Sequence, residues 1–126
     1  AEQTEAWKIV QQSWVDDVAQ NGKWPANYAD PQMVVWSAEF AAPRGKDSAV
    51  RWTKFQTTQG KVIQDELAPQ SISLSGDTAV VTYALTIVTQ RGTDKPDWGK
   101  EGIVETLVRS GTGWKFLSST SFAFGK

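Results

Sequence analysis

The chain contains no cysteine and no histidine. The first absence removes disulfides, thiol nucleophiles and every zinc site built on sulfur. The second removes the commonest general base and the commonest transition-metal ligand. A Ser-His-Asp or Cys-His machine is therefore excluded, and any acid–base chemistry must run on carboxylates, Tyr, Lys or Arg. Long apolar runs are also missing: none approaches the roughly 18 residues that span a bilayer, so no membrane association is expected. Thirteen basic side chains face fourteen acidic ones with no basic block, so the electrostatic footprint of a nucleic-acid binder is missing too. No Gly-rich phosphate loop is present, because Gly111-Thr112-Gly113 falls in a hairpin rather than between strand and helix. Asp94, Asp97 and Glu101 match no calcium-loop spacing. The reading implies no metal and no cofactor.

What remains is the composition of an ordinary globular protein, 126 residues long, enough for one domain with a real core. The chain starts Ala1-Glu2-Gln3, which fits cleavage behind a small residue, although a shortened chain would look the same. A periplasmic or secreted location is the expectation from that start, with a cytoplasmic one as the alternative.

Apolar positions Trp7, Val10, Trp14 and Val18 recur at spacings of three and four, predicting an amphipathic helix over 4–21 that stops at Asn21-Gly22. A short second helix or helical turn follows over 23–28, closed by Asp30-Pro31. MVVWSAEF, residues 33–40, has the length and β-formers of a strand. Another helix is expected from about Asp47 to Gln59, with Val50 or Arg51, Trp52 and Phe55 on its inner stripe. Everything after Gly60 reads as antiparallel sheet. Strand 61–74 carries a bulge or kink at Pro69, strand 78–90 follows the Ser75-Gly76-Asp77 turn, and 91–99 is a polar loop. The last two strands, 100–109 and 113–124, form a hairpin. Helices first and a meander last give an α+β fold with a curved sheet folded over the helices.

The hairpin VETLVRSGTGWKFLSSTSFAFG spends many positions on Ser and Thr. By period two, Trp114, Phe116, Ser118, Thr120 and Phe122 share the inward face. Inward Ser118 and Thr120 would need partners or a wet pocket; a twist or bulge would instead leave them at the rim. On the neighbouring strand Ile103, Glu105 and Leu107 share a face. Turned inward, Glu105 would be desolvated and become a usable acid or base; turned outward, it would pair with Lys115 or Arg109. On strand 78–90 the face of Ala79, Val81, Tyr83, Leu85 and Ile87 should meet the helices. The threonine-rich opposite face suits either another subunit or solvent. Asp16-Asp17 reads as a solvated helix face.

Seven tryptophans are many for this length. Trp7, Trp14, Trp36, Trp52 and Trp114 fall at inward positions, as core or as the wall of a cavity for a flat apolar ligand. Trp24 and Trp98 sit beside turns and read as rim or surface.

The amphipathic first helix, the Tyr28-Ala29-Asp30 end, VVWSAEF, the Pro-Arg-Gly-Lys loop, KVIQDELAPQSISLSGDTAVVTY and the final Gly-x-Gly-Trp-Lys-Phe-Leu hairpin resemble SnoaL-like proteins. These belong to the nuclear-transport-factor-two-like superfamily, which includes ketosteroid isomerase. The resemblance covers nearly the whole chain and implies a single SnoaL-like domain over 1–126. It implies a cone-shaped, curved antiparallel sheet wrapped on N-terminal helices, a cystatin-like α+β barrel roll with a cavity at its open end. Homodimers packed through the outer sheet face are common in the family. Carried over residue by residue, the resemblance puts Trp14, Tyr28, Trp36, Trp52, Phe55, Tyr83, Glu105 and Thr120 on the cavity wall, and period two adds Ser118. Thr120 falls where many relatives carry a histidine, which argues against a close copy of their acid–base sites. Two functions follow: binding of a small apolar or aromatic molecule without turnover, or cofactor-independent isomerase- or cyclase-like proton transfer. Glu105 is the best candidate base, and Tyr83 a possible oxyanion donor.

Overall fold

The computed structural model describes residues 2–37 and 40–123. Helix α1 (Glu2–Val18) is followed by β1 (Ala29–Trp36), a two-residue β2 (Arg44–Gly45), helix α2 (Lys46–Thr57) and four long strands. These are β3 (Lys61–Ser75), β4 (Thr78–Gln90), β5 (Asp97–Ser110) and β6 (Gly113–Ala123). All six strands form one sheet in the order β2-β1-β6-β5-β4-β3. The architecture is the expected α+β curved sheet, with one difference: β1 runs parallel to β6, so the sheet is mixed. Residues 38 and 39 of the expected strand over 33–40, and Phe124 of the last strand, lie outside the described residues.

The core lies between the helices and the inner sheet face. From α1 it takes Ala6 and Val10, from β1 Met33, and from α2 Ala49. From the sheet it takes Ala79, Val81, Tyr83, Leu85, Ile103, Leu107, Trp114 and Phe116. From Ala79 to Leu85 strand β4 buries the alternate residues its period implies, since a one-residue slip would turn every one of them outward. Beyond that, Ile87 is half-buried and Val88, of the opposite face, is buried. Residues 24–28 form hydrogen-bonded turns rather than a second helix: Tyr28 and Ala29 both donate their N–H to the Pro25 carbonyl. That turn is tied to the sheet through Phe116 N–H to the Tyr28 carbonyl at 2.9 Å. Trp24, expected at the rim, stacks edge-on against Phe116 with centroids 5.1 Å apart, because the turn folds back over β6. No described helix is long and apolar enough to cross a membrane.

Two of the register shifts in the sheet matter most for which side chains face inward. In β3 the pairing with β4 shifts between Pro69 and Ser71, the bulge that Pro69 suggests. In β6 the pairing with β5 shifts between Phe116, opposite Leu107, and Ser118, opposite Thr106. The extra residue, Leu117, reverses the parity of everything after it.

Candidate functional site

The bulge at Leu117 decides the floor of the cavity. Before it, Trp114 and Phe116 point inward and are buried, as period two requires. After it, Ser119 pairs with Glu105 and Ser121 with Ile103 on the inner face. Ser118 and Thr120 are thereby corrected to the outer face, where they stand beside Thr106 and Val104. Phe122 moves out with them and is 53% exposed, its ring lying across Gly102. Strict alternation predicted the opposite because one inserted residue carries no signature that period two can see.

On β5, Ile103, Glu105 and Leu107 do share the inner face and all three are buried. Glu105 is 3% exposed and borders a cavity of about 760 Å³. Each carboxylate oxygen accepts one hydrogen bond: Oε1 from the Tyr83 hydroxyl at 2.7 Å, and Oε2 from the Ser119 hydroxyl at 2.6 Å. Tyr83 in turn accepts the indole N–H of Trp14 at 2.7 Å. Burial pushes the Glu105 carboxyl up to about 7, and the two hydroxyl donors, which favour the ionised form, only partly offset it. Near neutral pH this group therefore holds or releases a proton with little driving force either way. Burial and the adjacent Glu105 charge push the Tyr83 phenol far up, so it stays a neutral donor.

The walls come from both helices and from the loops between strands. Trp14 of α1, Trp52 and Phe55 of α2, Val35 of β1, and Trp24 and Phe40 line the cavity. Phe40 meets Trp52 edge-on at 5.4 Å, and Trp52 tilts against Phe55 at 5.6 Å. On its other side the Arg44 guanidinium lies 4.4 Å from the Phe40 centroid and 5.0 Å from that of Trp52. Those stacks hold the α2 end of the wall in place.

Of the expected wall residues, Trp14, Trp52, Phe55 and Glu105 border the cavity. Tyr83 is 2% exposed and sits behind Glu105, so its hydroxyl is committed to the carboxylate rather than aimed at a ligand. Trp36 is corrected to the outside: Met33 and Val35 take the inner side of β1, leaving Trp36 47% exposed beside Thr120. Tyr28 is likewise not in the wall. Its hydroxyl bonds Asp16, and its ring packs edge-on against Phe116.

Asp16 and Asp17 were the residues the sequence concealed. Neither forms a solvated face. Asp16 is 6% exposed and accepts from Tyr28 and from Asn21 Nδ2, and those bonds hold its carboxyl below the usual range. Asp17 borders the cavity. Burial and the neighbouring Asp65 charge raise its carboxyl to about 6. The detectable signal was positional: α1 buries Val10 and Ser13, so its inner stripe continues to positions 16 and 17.

No protein-family model matches the chain, and no curated protein does. Solved structures do. A ketosteroid isomerase-like protein from Erwinia carotovora atroseptica superposes with a TM-score of 0.86 at 12% identity, over 100% of this chain and 98% of that one. An NTF2-like protein from Cytophaga hutchinsonii gives 0.80 at 10% identity, over 98% and 99%. A CaMKII hub from S. rosetta gives 0.82 at 15% identity, over 96% and 95%. The chain has the nuclear-transport-factor-two-like fold. At these identities the likeness speaks for the fold alone, and function has to be argued from the site.

Proposed function

We propose that the protein binds a small, largely apolar molecule in this cavity without changing it. The observation that carries the reading is an aromatic-walled space of about 760 Å³, of ligand-pocket size, bordered by one buried carboxylate. A proton-transfer reading is favoured by one fact, the elevation of the Glu105 carboxyl to about 7. Against turnover stands the donor inventory: the hydroxyls of Tyr83 and Ser119 are both spent on Glu105 itself. Neither of these two hydroxyls is therefore left to stabilise an enolate beside Glu105, and such stabilisation is the larger catalytic requirement.

The test is a titration with N-phenyl-1-naphthylamine, a dye that is neutral at pH 7 and brightens in apolar surroundings. Saturable binding at one site per chain is expected, weakened several-fold in Trp52→Ala and unchanged in the outer-face variant Phe122→Ala. Binding that is unsaturable, or equal in both variants, would sink the reading. If 3-cyclohexen-1-one, a simple carbon acid, took up solvent deuterium in a Glu105-dependent way, catalysis would replace binding as the function.

The outer sheet face supports a second copy as partner. Val34, Trp36 and Phe122 are exposed large apolar residues on it, and Val104 is half-buried. Sedimentation should give a dimer, and Phe122→Glu a monomer; a monomeric parent protein would refute this part.

A further inference from the structure

Two of the carboxyl groups that border the cavity, Glu105 and Asp17, have no ion-pair partner among the described residues. The basic side chains that touch the cavity, Lys61, Arg91 and Lys100, are all solvent-exposed. A carboxylate buried without an opposite charge is strongly disfavoured in electrostatic terms, which hydroxyl donors offset only in part. Burial outweighs the two hydroxyl bonds at Glu105.

Trp14, Trp24, Trp52 and Phe55 form the aromatic part of the surrounding wall, and the faces of such rings attract cations and disfavour anions. Arg44 already lies over Phe40 and Trp52 from outside the cavity, so those rings have spent part of that attraction. Trp14 has not. It lines the cavity, and its N–H donates to the same Tyr83 hydroxyl that holds Glu105. That bond sets the N–H edge of the indole near the carboxylate and leaves its face uncommitted to any described cation. A neutral ligand would leave the uncompensated charge as it is, and an anionic one would add to it. A positively charged group compensates the carboxylate in its ionised form and is at the same time favoured by the aromatic wall.

Taking as given the reading that the cavity binds a small molecule, we infer that its ligand is an organic cation: an apolar body carrying a protonated amine or quaternary ammonium, with the charge seated between Glu105 and Trp14. The apolar body then lies along Trp24, Trp52 and Phe55 toward the exposed end.

Three probes of one shape separate the possibilities: 4-phenylbutylamine, 4-phenylbutanol and 4-phenylbutyrate, titrated by tryptophan fluorescence near pH 8. The amine should bind about tenfold or more tightly than the alcohol, and the carboxylate most weakly. Glu105→Gln should bring the amine to within about threefold of the alcohol while leaving the alcohol where it was. An alcohol that matches the amine, or a Gln variant that keeps the full preference, overturns the inference while the binding reading survives. If neither the three probes nor the neutral dye binds, the cavity reading fails and this inference with it. Should the Gln variant misfold, nuclear Overhauser contacts on the parent protein decide. The ammonium-bearing methylene must contact Trp14 and Ser119 protons, and contacts from the phenyl end instead overturn it.

Discussion

The Tyr83 hydroxyl donates to Glu105 at 2.7 Å while accepting the Trp14 indole N–H at the same distance. One phenol thus ties α1 to β5 across β4, and it fixes the orientation of the carboxylate at the cavity floor. Its single proton is directed at Glu105, so the carboxylate is held by a neighbour that cannot itself serve a ligand.

Glu105→Gln should raise stability above pH 7. The folded carboxyl titrates near 7, above its ordinary value of 4.5, so the native state binds more protons than the unfolded chain between those two values. Stability is therefore fully present below about pH 4.5 and falls as pH rises through 7, by up to about 3 kcal/mol. Urea unfolding at pH 5 and pH 8 reads this directly. The parent protein should lose stability across the interval, and the Gln variant should lose distinctly less.

Tyr83→Phe leaves the Trp14 N–H and Glu105 Oε1 each short of a partner. The expected cost is about 1–3 kcal/mol. Removing a donor that favours the ionised form should also move the Glu105 midpoint further upward, read from its carboxyl carbon resonance. A midpoint that stays put would mean that the Tyr83 bond is not made in solution.

Ser119→Ala and Ser118→Ala differ by one position and should behave differently. Ser119 donates to Glu105 Oε2, so its loss should raise the Glu105 midpoint and alter ligand affinity. Ser118 faces away beside Thr106, so its loss should change neither. Equal effects from the two variants would show that the bulge at Leu117 is misplaced.

Asp17→Asn should stabilise the protein above pH 6. Burial and Asp65 raise the folded Asp17 carboxyl from 3.8 to about 6, so its ionisation weakens the fold as pH rises through that window. The measurement is the difference in melting temperature between variant and parent at pH 4 and pH 8. It should be near zero at the lower value and positive at the higher.

Most of the architecture was legible because regular alternation and helical period survive where the chain is regular. Strand β4 runs over the residues its pattern marks, and Ile103, Glu105 and Leu107 share a face because β5 is unbroken there. The misreadings cluster where regularity fails. Ser118, Thr120 and Phe122 turned outward together because of one extra residue in β6. Trp36 misled because tryptophan suggests burial, whereas the inner side of β1 belongs to Met33 and Val35. Asp16 and Asp17 misled for the opposite reason. Acidic side chains suggest solvent; tertiary hydrogen bonds from Tyr28 and Asn21 make the burial of Asp16 tolerable. Asp17, in contrast, lies at the cavity with its carboxyl raised by burial and by the like charge of Asp65.

The parallel pairing of β1 with β6 bears on how the chain can be made. Strand β1 hydrogen-bonds β6, so the edge it turns away from β2 has no neighbour until β6 has been synthesised. A nascent chain ending anywhere before Gly113 exposes Met33 and Val35 without the strand that completes their side of the sheet. The meander from β3 to β5 can assemble by local hairpins as it emerges, but closure waits for β6. Chaperone dependence should accordingly concentrate in the interval between the appearance of β1 and the release of β6.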